Sequence, residues 1–174
     1  MSLYKDLKGY WTFIYGKIEA EYEQVAFDLI LKDFGIENYN IVKISSILPK
    51  GFKYTNTIKG LPEEGEILYM AYVYKFFTKE EVIKNFDKKF SIGVLVVEPE
   101  NKEQTGLILE LSDFCDKQTL EEKLELQARY LSAIRRKIEV KEVRKKIIET
   151  DFLTKIHKKM FFKPFGMLVG VLLW

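Results

Sequence analysis

Cysteine, histidine and proline are scarce in this chain of 174 residues, with one, one and four copies. Cys115 stands alone, which excludes an intrachain disulfide framework and a cysteine-rich metal site, and fits a reducing, cytoplasmic compartment. His157 is the single histidine and lies among lysines, where a solvated surface residue is its ordinary reading. A serine–histidine–acid triad and a histidine-rich metal centre are both disfavoured, and no metal is expected. Neither a Walker A sequence nor a Gly-x-Gly-x-x-Gly run occurs, so nucleotide chemistry has no visible seat. Charge asymmetry is missing too: 28 basic and 26 acidic residues are spread along the chain, giving +2, so a nucleic-acid partner is not expected. Met1 to Gly9 holds Lys5, Asp6 and Lys8 and lacks the apolar core of a signal peptide, so export is not expected. The apolar tail from Phe161 to Trp174 is shorter than the roughly 20 residues of a spanning helix and is interrupted by Lys163, Pro164, Gly166 and Gly170. It reads as a buried final strand rather than a membrane anchor.

What is present suits one domain, residues 1–174, with enough apolar residues for a substantial core. Tyr10 to Tyr15 predicts a first strand ending near Gly16, followed by a polar loop from Lys17 to Glu23. From Tyr22, the apolar Val25, Ala26, Leu29 and Ile30 recur at helical steps, and Gly35 ends that helix. A turn-rich connection through Gly51, Gly60, Pro62 and Gly65 leads to an aromatic strand, Ile67 to Phe77. Thr78 and Glu81 form a capping box for a short helix. Phe90 to Val97 and Thr105 to Leu111 read as an antiparallel pair. A long helix starts at Thr119 with Glu122 as capping partner, and Val143 to Thr150 reads as an edge strand. Strands with helices placed between them argue for an α/β (α+β) sandwich.

The chain is organised around Asn40 to Pro49, a β-branched run that meets two adjacent hydroxyls, Ser45 and Ser46, and is stopped by Pro49. A peptide bond at a forced strand-to-loop corner can be held under strain with a hydroxyl aimed at the preceding carbonyl, which makes Ser46 a candidate nucleophile toward its own chain. Taken alone, the pair also reads as an ordinary strand end. Lys43, two residues before the pair, reads as alternating outward from the strand.

The run Asn40 to Pro49 resembles the self-cleavage segment of the pyruvoyl-dependent arginine decarboxylases. The likeness extends to Ala26-Phe27-Asp28, Gly35 and Ile36 upstream, and to Gly106-Leu107-Ile108-Leu109-Glu110 downstream. The resemblance implies a four-layer α/β/β/α sandwich assembled as a homotrimer with active sites at subunit interfaces. It implies that Ser46 Oγ attacks the Ser45 carbonyl, so that amide becomes ester. Elimination then releases Ser45 as the carboxylate of a β fragment, residues 1–45. The dehydroalanine left at position 46 loses ammonia on hydrolysis, leaving a pyruvoyl group at the head of an α fragment, residues 46–174. No pyridoxal phosphate or other external cofactor is then required.

The implied substrate is L-arginine and the products are agmatine and carbon dioxide, an entry to polyamine synthesis. Glu110 matches the family's proton donor, and desolvation at the end of Leu107-Ile108-Leu109 is expected to raise its pKa. Asn40 matches an asparagine of the processing and active-site region, where a neutral amide can polarise a carbonyl. Asp28 matches the acid that meets the guanidinium, with Ser45 beside it in the substrate site. Without the resemblance, Glu110 reads as a strand residue facing solvent, Asn40 as a turn residue and Asp28 as a solvated helix residue. Departures cluster around the substrate pocket: Lys17 to Gln24 lacks the family's glycines and proline, and Glu37 replaces a glycine. Two alternatives therefore stay open, a non-catalytic trimeric relative that binds a ligand or partner, and a decarboxylase of another basic amino acid.

Overall fold

The computed structural model describes residues 9–135, 138–152 and 163–174. Its order is β1 (Tyr10–Glu19), α1 (Glu23–Lys32), β2 (Asn40–Lys43), β3 (Ile47–Leu48), β4 (Lys53–Tyr54), β5 (Ile67–Phe77), α2 (Lys79–Lys84), β6 (Lys89–Pro99), β7 (Gly106–Asp113), α3 (Lys117–Ile134), β8 (Val140–Asp151) and β9 (Phe165–Leu173). Five strands form one sheet in the order β2-β5-β9-β1-β4, and four form a second in the order β3-β7-β6-β8.

Three apolar clusters separate four layers. Trp11, Ala71, Phe77, Val169 and Val171 of the first sheet meet Ile92, Val94, Val96 and Ile108 of the second in a shared core. The outer face of the first sheet, through Ile14, Met70, Leu168 and Leu172, packs on Ile30 and Leu31 of α1. The outer face of the second, through Leu95, Val97, Leu107 and Leu109, packs on Leu120, Leu124 and Ala128 of α3. An α/β/β/α sandwich results, because each sheet has two apolar faces and only a helix layer outside and a sheet inside bury both. β9 sits in the middle of the larger sheet with every residue buried, which is why its sequence is a continuous apolar run.

Local signals explain many boundaries. Thr78 accepts the Glu81 N–H at 3.2 Å while Glu81 accepts the Thr78 N–H at 3.0 Å, a complete capping box. Gly35 adopts φ +67° beyond α1, and the Ile36 N–H returns to the Leu31 carbonyl at 3.2 Å, burying Ile36 fully. β6 and β7 pair antiparallel, and β8 lies at the edge of its sheet.

Three expectations are corrected. β1 runs on through Lys17, Ile18 and Glu19, because these pair with Met167, Gly166 and Phe165 of β9 and tertiary pairing overrides their polarity. The long helix begins at Lys117 under an Asp116 cap, whose carboxylate accepts the Thr119 N–H at 2.8 Å. The third correction concerns the serines. Asn40 to Pro49 is two strands rather than one, for β2 pairs parallel with β5 in the first sheet and β3 pairs antiparallel with β7 in the second. Ile44 and Leu48 pack into the inter-sheet core from either side of the break.

Candidate functional site

Ser45 and Ser46 occupy the crossing between the two sheets. The last rung before it is the Ile44 N–H donating to the Met70 carbonyl at 3.1 Å in the first sheet, and the first rung after it is the Ile108 N–H donating to the Ser46 carbonyl at 3.1 Å in the second. The peptide bond between the serines is therefore clamped by ladders that belong to different sheets. Within the crossing, the Ile47 N–H donates to the Ser45 carbonyl at 2.7 Å and closes a three-residue turn. That donor withdraws electron density from the Ser45 carbonyl. Ser45 is exposed and Ser46 is half-buried.

Glu110 comes from the same strand that receives Ser46. It lies two residues along β7 from Ile108, a rise of about 7 Å, and shares with Ile108 the face turned to the other sheet. Its carboxylate meets the Tyr72 N–H of β5. That N–H is free for it because β2 leaves β5 after the Lys43–Met70 rung, so the next rung of the ladder is never made. Glu110 Oε1 is buried without a hydrogen-bond partner. Burial pushes the Glu110 carboxyl above its ordinary value, against smaller downward pulls from the Lys43 charge and the Tyr72 N–H. A half-buried carboxyl with one orphaned oxygen is suited to hold a proton and deliver it.

One chain thus brings Ser45, Ser46 and Glu110 together, and it places Asn40 and Asp28 elsewhere. Asn40 opens β2 at the end opposite the crossing, where its amide donates to the Gly65 carbonyl at 2.5 Å and its own N–H donates to the Glu66 carbonyl at 3.0 Å. Its side chain secures the end of the long connection to β2. Asp28 is exposed on α1, in the outer layer. Its charge is felt by the Tyr74 phenol, which burial first and then Glu23 and Asp28 push upward, and whose hydroxyl donates to the Glu23 carbonyl at 2.8 Å. His157 lies outside the described residues, as do Phe161 and Phe162 of the apolar tail.

Sequence reasoning missed the backbone donors of Ile47, Ile108 and Tyr72, which no side-chain pattern announces. Lys43 alternates outward from the strand, as its position predicted. Lys43 is exposed, yet its ammonium lies 4.8 Å from the centre of the Tyr72 ring and its charge reaches Glu110.

Among the described residues, no group of three or more histidines, cysteines or acids is arranged as a metal site, and no helix is long and apolar enough to cross a membrane.

Comparison with known proteins adds an independent line. A family model described as pyruvoyl-dependent arginine decarboxylase matches residues 11–174. Pyruvoyl-dependent arginine decarboxylase 2 of Archaeoglobus fulgidus is 33% identical over 102 residues, covering 58% of this chain and 61% of that protein. The pyruvoyl-dependent arginine decarboxylase of Methanococcus aeolicus is 34% identical over 114 residues, covering 64% of this chain and 62% of the relative. The one from Methanococcus vannielii is 33% identical, covering 57% and 56%. The matched part of the chain spans about three fifths of the length of these curated relatives.

Proposed function

Since the chain belongs to the pyruvoyl-dependent arginine decarboxylase family, we propose that it cleaves itself between Ser45 and Ser46 and converts L-arginine to agmatine and carbon dioxide. The observation that carries this reading is the Ser45 carbonyl, held at 2.7 Å by the Ile47 N–H in a crossing pinned to both sheets, with the orphaned Glu110 oxygen a short way along β7.

In the cleavage step, Ser46 Oγ attacks the Ser45 carbonyl carbon, the carbon–nitrogen bond breaks, and the amine and the new ester remain on residue 46. The Ile47 N–H stabilises the negative charge that gathers on the carbonyl oxygen. Loss of the Ser46 α-proton then expels Ser45 as a carboxylate, and water replaces the nitrogen of residue 46, which leaves as ammonia. The products are residues 1–45 and a chain of residues 46–174 headed by a pyruvoyl group.

The residues present fit that group. The Ile108 N–H holds the carbonyl of residue 46 next to the new ketone, and Glu110 stands further along the same strand on the same face. A pyruvoyl group supplies an electron sink for the departing carboxylate. Burial keeps the Glu110 carboxyl protonated to higher pH than an ordinary glutamate, so that it returns a proton to the substrate α-carbon. Asp28 accepts the guanidinium in a two-point contact.

Asn40 and Asp28 sit away from Ser46 within one chain, and this favours a site completed by a second copy. We assign a homotrimer with active sites between subunits. Its support is the free edge of β3 at the margin of its sheet, where Ile47 and Ile134 are 39% and 75% exposed and line a cavity of 510 Å³ with Arg135.

The assay is release of carbon dioxide from carboxyl-labelled arginine with agmatine as the coupled product. Release from lysine or ornithine but not arginine assigns another basic substrate; no release from any of them, with an intact chain, assigns the binding relative.

A further inference from the structure

Helix α1 carries Asp28, and one tyrosine of the sheet beneath fastens that helix at two points. Tyr74 of β5 donates its hydroxyl to the Glu23 carbonyl, in the first turn of α1, at 2.8 Å. Its ring lies 5.2 Å from the ring of Phe27 in an edge-on contact at 86°, and Phe27 also meets the Tyr72 ring at 5.6 Å. Among the described residues no other hydrogen bond joins α1 to the sheet, and Tyr22, the residue before the helix, supplies no side-chain cap. The rest of the buried face of α1 is apolar, through Ala26, Ile30 and Leu31, and apolar burial has no direction of its own.

A glycine makes the seat for this contact. Gly166 of β9 lies beneath it, and a Cβ there would stand 2.7 Å from the Tyr74 hydroxyl and 2.8 Å from Ala26 Cβ. Bare backbone at that place lets the phenol and the helix close on the same spot. Burial first, and then the acids Glu23 and Asp28, push the Tyr74 phenol above its ordinary value, so it remains a donor at any working pH.

The two contacts restrain different motions. The hydroxyl bond sets the place of α1 along its axis, and the seating of Phe27 sets its rotation. Asp28 follows Phe27 by about 100° of turn and Glu23 by about 7.5 Å of rise, so both settings pass to its carboxylate. Asp28 is exposed, and a carboxylate that takes a guanidinium through two parallel hydrogen bonds has to be held to about 0.5 Å.

We propose that Tyr74 is a positioning residue for arginine recognition: through its hydroxyl on the Glu23 carbonyl and its ring on Phe27 it holds α1 where Asp28 meets the guanidinium. The proposal rests on the assignment of Asp28 to the guanidinium.

The test is a double-variant cycle in the full chain, with Tyr74→Phe, which deletes the hydroxyl and keeps the ring, and Asp28→Ala. The readouts are KM and kcat for arginine and the Kd of agmatine by calorimetry, since agmatine keeps the guanidinium and its binding needs no turnover. Tyr74→Phe should raise KM and Kd on the order of 10-fold, the scale of a small misplacement, with kcat and self-cleavage close to those of the parent. In the Asp28→Ala background the same change should leave KM and Kd where Asp28→Ala alone puts them, which a merely structural role would not produce. Agmatine binding that is weakened by Asp28→Ala and indifferent to Tyr74→Phe overturns the positioning role and leaves the Asp28 assignment standing. Losses that multiply in the double variant overturn it as well, because the hydroxyl then acts elsewhere. If Asp28→Ala leaves agmatine binding unchanged, the Asp28 assignment fails and the role of Tyr74 falls with it.

Discussion

The Ile47 N–H points back at the Ser45 carbonyl and donates to it at 2.7 Å, across the one residue whose hydroxyl is the candidate nucleophile. β3 is the edge strand of its sheet, and this N–H is spent on the crossing instead of being left at the open edge. Ile47→Pro deletes the donor and is expected to slow self-cleavage on the order of 100-fold, the usual effect of losing one preorganised oxyanion donor. Ile47→Ala retains the N–H and should cleave at close to the parent rate. Time-resolved gel analysis of freshly refolded protein reads both; equal rates for the two variants would remove the donor from the mechanism.

Glu110→Gln should leave cleavage intact and abolish agmatine formation, because an amide cannot deliver the proton. The pH dependence has a definite sign. The folded-state pKa is raised, so the proton-donating form is full at low pH and is lost as pH rises through that raised value, and the basic limb of kcat should carry this loss. The same shift makes the charged carboxylate a cost to the fold: stability associated with Glu110 is full below the ordinary glutamate pKa of about 4.3 and falls as pH rises toward the folded value. Glu110→Gln should therefore melt no lower than the parent at neutral pH, an exchange of stability for activity that thermal melts at two pH values would reveal.

Gly106 is opposite Leu48 in the β3–β7 pair, and a Cβ there would lie 2.3 Å from the Val97 carbonyl oxygen and 3.1 Å from the Leu48 side chain. The first contact is with the backbone of β6, hydrogen-bonded into the sheet, which cannot give way. Gly106→Ala should cost about 1–3 kcal/mol, in the manner of an overpacked core, and should loosen β3 from β7. Slower self-cleavage is expected along with a lower melting temperature, since β3 is what pins the crossing to the second sheet. A variant that melts lower yet cleaves at the parent rate would show that the pin is dispensable.

Asp28→Ala is expected to raise KM for arginine at least 10-fold while leaving cleavage and melting temperature unchanged, as an exposed helix residue should. Asn40→Ala differs, since it also removes the contact of 2.5 Å to the Gly65 carbonyl. Its melting temperature should fall by the equivalent of about 1 kcal/mol. Agmatine assays on both variants, read beside thermal melts, separate a role in the site from a role in the fold.

Features written in local chemistry were legible in advance. β5 runs from Ile67 to Phe77 as its aromatic and β-branched composition predicts, the Thr78–Glu81 box starts α2, and the all-apolar tail from Phe165 is a strand buried on both faces. What sequence could not supply depended on partners distant in the chain. Lys17 to Glu19 look like loop until β9 pairs with them, and Thr119 looks like a cap until Asp116 takes its N–H. The site divides in the same way. Ser45, Ser46 and Glu110 were nameable as candidates from the residues and the resemblance, and the serines were read as a strand end, whereas the break between β2 and β3 as a crossing into a second sheet depended on β7. That break is what frees the Tyr72 N–H for Glu110, so the most informative feature of the site is a rung the ladder omits.

The central claim is a covalent change, and the intact mass of the purified, denatured protein tests it most directly. The account predicts two fragments divided between Ser45 and Ser46, with the larger lighter by one ammonia than hydrolysis alone would leave it, and a single uncut chain for Ser46→Ala. A parent that remains one chain of full mass after long incubation would contradict it.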